Sequence, residues 1–159
     1  MHIRVGTKIP EFTLADHEGN DLCIKDYIGM KNIVIYFYPN ENTRACIKEA
    51  CYFRDRYENF TVSDAVIFGI GSQSVENHKK FMEKYKLNFA LLSDTNNTVR
   101  KMFGVPLLGI MSGRVTYIID NGGRVSYVIR SQFNIKKHVD ESVRILREMK
   151  LYRLSSVWI

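Results

Sequence analysis

A six-residue apolar run, Ile33-Val34-Ile35-Tyr36-Phe37-Tyr38, limits the fold of this chain more than any other stretch. It is β-branched and aromatic and does not alternate with polar residues, the pattern of a strand that a sheet buries on both faces. Such a strand is central, with a packed layer above and below it. Pro39-Asn40-Glu41-Asn42 breaks the run, and from Thr43 the period becomes helical. Cys46, Ala50, Phe53, Tyr57 and Phe60 stand at offsets of 0, 4, 7, 11 and 14, which is one stripe along a helix. Cys46 is therefore expected in the first helical turn, on the core-facing side.

The pattern then repeats. A second buried strand is expected at Ala65–Gly71, a helix over about Val75–Tyr85, a short strand at Phe89–Leu92 and a short helix over Asn96–Phe103. Val115–Ile119 and Val125–Ile129, joined through Asp120-Asn121-Gly122-Gly123, read as an antiparallel hairpin, and a last helix is expected over about Ile135–Lys150. Leu22–Ile24 is strand-like. Strand alternating with helix is the α/β signature. A central mixed sheet, expected to be mostly parallel, closed by a hairpin and flanked by helices, is the pattern of the thioredoxin-like class. In open sheets of this kind the site lies at the carboxyl ends of the strands, the place that the Pro39–Cys46 turn occupies.

With 159 residues and 45% hydrophobic content, the chain suits one domain, expected over 1–150, with a tail at 151–159 that holds the single tryptophan, Trp158. No apolar stretch approaches the roughly 18 residues of a membrane span, and no apolar run follows the basic residues near the N-terminus, so a cytoplasmic location without a membrane partner is expected. The formal charge of +6 raises the question of an acidic partner. Seven Lys and Arg between positions 130 and 153 face only three acids, but no aromatics interleave with them on a helix. That reads as a solvated face, and no nucleic-acid partner is expected.

The chemistry centres on the cysteines, of which there are three. Cys23 stands apart and reads as a small buried hydrophobe. Cys46, in the first turn of a helix, faces unpaired backbone N–H groups and the positive end of the macrodipole, which favour the anion, the nucleophilic form. A thiolate that attacks an O–O bond becomes a sulfenic acid, which a second thiol can resolve. Cys51 lies five positions on. In an intact helix five residues rise about 7.5 Å and turn about 140°, placing the two Cα atoms about 8.6 Å apart. A disulfide needs less than about 7 Å, so pairing requires the first helical turns to unwind. The Cys-x4-Cys spacing lacks a second ligand pair and the four histidines show no metal-ligand spacing, so neither a metal nor an organic cofactor is expected.

Pro39-Asn40-Glu41-Asn42-Thr43-Arg44-Ala45-Cys46 fits PxxxTxxC and resembles the active-site loop of peroxiredoxins. Cys46-Ile47-Lys48-Glu49-Ala50-Cys51 is similar to the CxxEAC of the bacterioferritin-comigratory-protein or PrxQ subgroup. The resemblance runs on through Val5–Phe12, Phe53-Arg54-Asp55, Ser74–Phe81, Leu92-Ser93-Asp94 and Gly113–Asp120, covering roughly residues 3 to 149. It departs at Arg44-Ala45, where the subgroup commonly has Pro-Gly.

The resemblance implies a thiol peroxidase that reduces hydrogen peroxide and organic hydroperoxides. Cys46 would be the peroxidatic cysteine and Cys51 the resolving one, with thioredoxin or a similar dithiol as reductant and a monomer or weak dimer as the working form. Thr43 and Arg114 would bind the peroxide and activate the thiolate, and Pro39 would shield the loop from water. Glu49 would orient an arginine, unless it is an exposed first-turn acid. Two other classes compete: a thiol–disulfide oxidoreductase or redox sensor, which has little use for Thr43 and Arg114 together, and a basic binding module that works through its last helix.

Overall fold

The run from Ile33 lies at the middle of a seven-stranded sheet. The computed structural model describes residues 3–40, 42–106 and 113–157. Glu41 of the loop and Trp158 of the tail thus lie outside the described residues. The strands are β1 (Thr13–Asp16), β2 (Asp21–Cys23), β3 (Asn32–Phe37), β4 (Ala65–Gly71), β5 (Ala90–Ser93), β6 (Val115–Ile119) and β7 (Val125–Arg130). The helices are α1 (Arg44–Asp55), α2 (Tyr57–Val62), α3 (Val75–Tyr85), α4 (Thr98–Met102) and α5 (Ile135–Val157). The strand order is β2-β1-β5-β4-β3-β6-β7.

β3 pairs parallel with β4 and antiparallel with β6, and all six of its residues are buried. Alternate side chains enter different cores, as the two-residue period of a strand requires. Ile33, Ile35 and Phe37 join Phe68, Ile70, Phe103 and Tyr117 on one face. Val34, Tyr36 and Tyr38 join Cys46, Phe53, Phe60, Phe81, Val143 and Leu146 on the other. The apolar stripe beginning at Cys46 is what seats α1 on that second face. Tyr36 stacks on Phe53 at 4.5 Å between ring centroids, which orients the helix as well as burying it. β4 gives these rings room: a Cβ on Gly71 would meet the Tyr38 ring at 2.5 Å, so only glycine fits beneath it.

Four differences from the expected pattern have physical reasons. The sheet is mixed with only β3–β4 and β4–β5 parallel, because β1 and β2 add an antiparallel edge whose few residues give no usable periodicity. The stripe through Tyr57 is interrupted at Arg56, whose φ and ψ of −102° and 11° end α1 and restart the chain as α2; Tyr57 is exposed while Phe60 is buried. α5 runs past Lys150 to Val157, so the described part of the tail is helical, with Leu151, Tyr152 and Leu154 exposed. Cys23 is half-buried rather than buried, since it ends an edge strand. The seven basic residues from Arg130 to Arg153 are all exposed, and Arg144 bridges Glu141 and Glu148.

Candidate active site

Leaving β3, the chain is turned by Asn40, whose side-chain Oδ1 accepts from the Asn42 N–H at 2.9 Å and whose carbonyl accepts from the Thr43 hydroxyl at 3.0 Å. Thr43 is extended, with φ −80° and ψ 150°, and its Oγ1 accepts from the Cys46 N–H at 3.3 Å. That makes Thr43 the N-cap of α1 and puts Cys46 in its third position, within the ring of free helical donors. The Thr43 hydroxyl is exposed, and after one donation and one acceptance it keeps a lone pair for a further donor.

Cys46 is 3% exposed, and the group against its sulfur is Arg114, which stands one residue before β6 and is equally buried. All three guanidinium nitrogens are engaged. Nη2 donates to Cys46 Sγ at 3.2 Å, Nη1 to Glu49 Oε1 at 2.6 Å and Nε to the Gln132 carbonyl at 3.4 Å. Burial works against the Arg114 charge, but Glu49 and Cys46 together hold the guanidinium above its ordinary value. Glu49 lies one turn beyond Cys46 on the same face of α1, and it is fully buried against Arg114 rather than exposed.

Burial drives the Glu49 carboxyl up from 4.5 to about 7, against the downward pull of Arg114. Its second oxygen, Oε2, accepts no hydrogen bond among the described residues and lies 3.9 Å from His138 Nδ1. His138 cannot supply the missing donor. Its Nε2 sits 2.7 Å from the Ser131 carbonyl, which can only accept, so Nε2 carries the proton. Burial holds the ring neutral, down to about 4, and Nδ1 is left to accept from the Thr116 hydroxyl at 2.8 Å. A permanently charged fork is thus fixed between a thiol and a carboxylate, in a pocket from which water is largely excluded. Such an arrangement stabilises an anion on the sulfur and on an oxygen arriving beside it.

Of the residues expected from sequence, the structure brings Thr43, Cys46, Glu49 and Arg114 together, with half-buried Pro39 at the head of the loop. Cys51 is half-buried on the same unbroken helix as Cys46, and all three cysteines are free. Sequence reasoning passed over His138 and Arg100. His138 shares a three-and-four-residue stripe with Ile135, Val139, Ser142, Val143 and Leu146, all buried, and that spacing was the available signal. Arg100 sits in a five-residue helix, too short to show a period.

Residues 5–128 match the model of the AhpC/TSA family, which is well over half the chain. The chain belongs to the AhpC/TSA family. Within it, the chain is 46% identical over 147 residues to the chloroplastic peroxiredoxin Q of Sedum lineare, covering 91% of this chain and 78% of that one. The crystal structure of peroxidoxin BcpB from Mycobacterium tuberculosis superposes with a TM-score of 0.86 at 33% identity, over 92% of this chain and 98% of that one. Peroxiredoxin Q of Xanthomonas campestris shares the fold, with a TM-score of 0.83 at 24% identity over 93% and 97% of the two chains. The thioredoxin-like fold and the enzyme class expected from sequence, a thiol peroxidase, follow from this membership. No helix among the described residues of this AhpC/TSA protein is long and apolar enough to cross a membrane.

Proposed function

We propose that Cys46 is the nucleophile of a two-cysteine peroxidase cycle in which Cys51 resolves the oxidised sulfur. The thiolate attacks the terminal oxygen of a hydroperoxide. The S–O bond forms as the O–O bond breaks, sulfur is oxidised by two electrons, and the alcohol or water leaves after taking up a proton. The observation that carries this reading is the Arg114 fork, 3.2 Å from the sulfur and 2.6 Å from Glu49. One nitrogen of that fork donates to the sulfur, where a fixed positive charge also stabilises charge developing on the departing oxygen, while the remaining lone pair of Thr43 can accept the O–H of the peroxide. Half-buried at the head of the loop, Pro39 takes the role of shielding it from water.

Cys51 then attacks the sulfenic sulfur, forming the disulfide and releasing water. With both residues on α1, at about 8.6 Å between Cα atoms for a regular helix, the first turns of α1 must unwind for this step. A dithiol reductant of the thioredoxin type returns the enzyme to its starting state by exchange. This cycle assigns the chain to a reducing compartment, a condition that the cytoplasm meets, and needs no bound metal or organic cofactor.

The test is to mix reduced protein with one equivalent of hydrogen peroxide and to locate the oxidised residues by alkylation and peptide mass. A Cys46–Cys51 disulfide is expected in the wild type, and a sulfenic acid trapped at Cys46 in Cys51→Ser. If Cys46 stays reduced while peroxide persists, the assignment of the nucleophile is wrong.

A further inference from the structure

A second buried guanidinium acts on the same thiol through its field. Arg100 of α4 is 4% exposed, and its side-chain hydrogen bonds run to backbone carbonyls. Nη2 donates to the Tyr38 carbonyl at 2.8 Å, and Nη1 donates to those of Pro106 and Gly113, both at 3.1 Å. The guanidinium carbon lies 5.6 Å from the centre of the Phe37 ring. The two oxygens of Asp94 accept instead from the backbone N–H groups of Val99 and Arg100, at 3.1 and 2.9 Å, so that carboxylate caps α4 and meets the guanidinium only through its field.

Two of the three carbonyls have a common meaning in the sequence. Tyr38 is the residue before Pro39, and Gly113 is the residue before Arg114. One rigid, planar group therefore ties the head of the peroxide loop to the base of the arginine that touches Cys46. Close passage of the chain makes this possible. Gly113 also donates to the Pro106 carbonyl at 3.0 Å, and a Cβ on Gly113 would meet Pro106 at 2.9 Å and Val105 at 3.2 Å. Lysine, with a single flexible ammonium, could not reproduce a fork that spans both segments.

The charge matters as well as the shape. The charged or titratable groups that Arg100 faces are Asp94 after β5, Cys46 on α1, Tyr38 after β3 and Tyr117 on β6, the last with Arg130 beside it. Cys46 faces Arg100, Arg114 and, through Arg114, Glu49 with His138 behind it. Burial lowers the affinity of Arg100 for its proton, and the anions of Asp94 and Cys46 oppose that loss.

We infer that Arg100 is a positioning residue for the reaction at Cys46: it ties the head of the loop at Tyr38 to the base of Arg114, whose guanidinium donates to the sulfur, and it adds a second fixed positive charge to the field there. The inference rests on Cys46 being the nucleophile. The experiment therefore compares wild type with Arg100→Gln and Arg100→Lys by two readouts. One is the pH profile of Cys46 alkylation by iodoacetamide, which involves no peroxide. The other is the second-order rate with hydrogen peroxide at a pH where alkylation has reached its plateau.

In Arg100→Gln the alkylation profile moves to higher pH, the direction expected when a positive charge acting on the thiolate is lost. Its plateau peroxide rate falls at least about tenfold, because the clamp is lost. In Arg100→Lys the profile stays near that of wild type, while the peroxide rate still falls several-fold. A folded Gln variant with wild-type profile and rate overturns the inference, as does one that loses thermal stability while both readouts stay unmoved. Should the Gln variant fail to fold, a Lys variant with the wild-type peroxide rate overturns it. A wild type that alkylates at Cys46 but does not react with peroxide there removes the nucleophile assignment instead, so the two failures are distinguishable.

Discussion

Glu49 puts a carboxylate where water does not reach it, and the cost is visible in its rise to about 7, equivalent to about 3 kcal/mol between its ionised and neutral forms. What it gains for the site is a charged acceptor that fixes Arg114. Glu49→Gln keeps the shape but exchanges a charge-assisted hydrogen bond for a neutral one, a loss of about 1–2 kcal/mol. Wild type should react with hydrogen peroxide about tenfold faster than the Gln variant at pH 8. Below pH 7 the wild-type carboxyl is itself protonated, and the ratio of the two rates should shrink toward one. Stopped-flow rates at pH 8 and pH 5.5 check this; a ratio that does not change with pH separates Glu49 from the orientation of Arg114. At this scale the sequence was half legible. The stripe of Cys46, Ala50 and Phe53 runs beside Glu49, yet the sequence left that residue open between an arginine partner and an exposed acid, and nothing local said that its partner stands 65 residues away. Arg100 was illegible, because its role lies in where the carbonyls of Tyr38 and Gly113, 62 and 13 positions away, meet.

Among the elements, α1 carries the largest functional demand, since it must hold Cys46 at its N-terminus and also release it toward Cys51. Its first turn is secured by the Thr43 cap and the bond from the Ile47 N–H to the Thr43 carbonyl at 3.0 Å. Ala45, where the subgroup resemblance suggests glycine, makes that turn harder to unwind, because alanine is favoured over glycine in a helix by about 1 kcal/mol. Ala45→Gly should therefore speed the conversion of the Cys46 sulfenic acid to the disulfide about fivefold, which rapid-quench alkylation can time. An unchanged rate would mean that unwinding of this turn is not what limits the step. The α1 start was readable from sequence because loop, cap and stripe agree within a dozen residues. Its end was not: the stripe continues through Phe60, and only the backbone at Arg56, with its guanidinium bound to Asp140 at 2.9 Å, shows where the helix stops.

For the molecule as a whole, three buried and strongly shifted groups among the described residues bear on the response to acid. His138 is bonded as described, and His78 lies between the Tyr38 hydroxyl at 2.7 Å and the Ser93 hydroxyl at 2.9 Å; burial holds both down to about 4. A histidine depressed from 6.5 to about 4 contributes stability that is present above pH 6.5 and lost as pH falls toward 4, up to about 3 kcal/mol each. Glu49 runs the other way. Raised from 4.5 to about 7, it binds a proton more readily in the folded state, so between pH 7 and 4.5 it adds back stability as the pH falls. Two losses against one gain leave wild type about 2 kcal/mol less stable at pH 4.5 than at pH 7. Removing the compensating group should expose both histidines, so Glu49→Gln should lose about 5 kcal/mol over the same interval, a large share of an ordinary domain's stability. Denaturant midpoints at the two pH values decide it. A variant no more acid-sensitive than wild type would mean that Glu49 gains no proton on folding, and with that the account of Arg114 as held by a carboxylate that titrates near neutrality would fall.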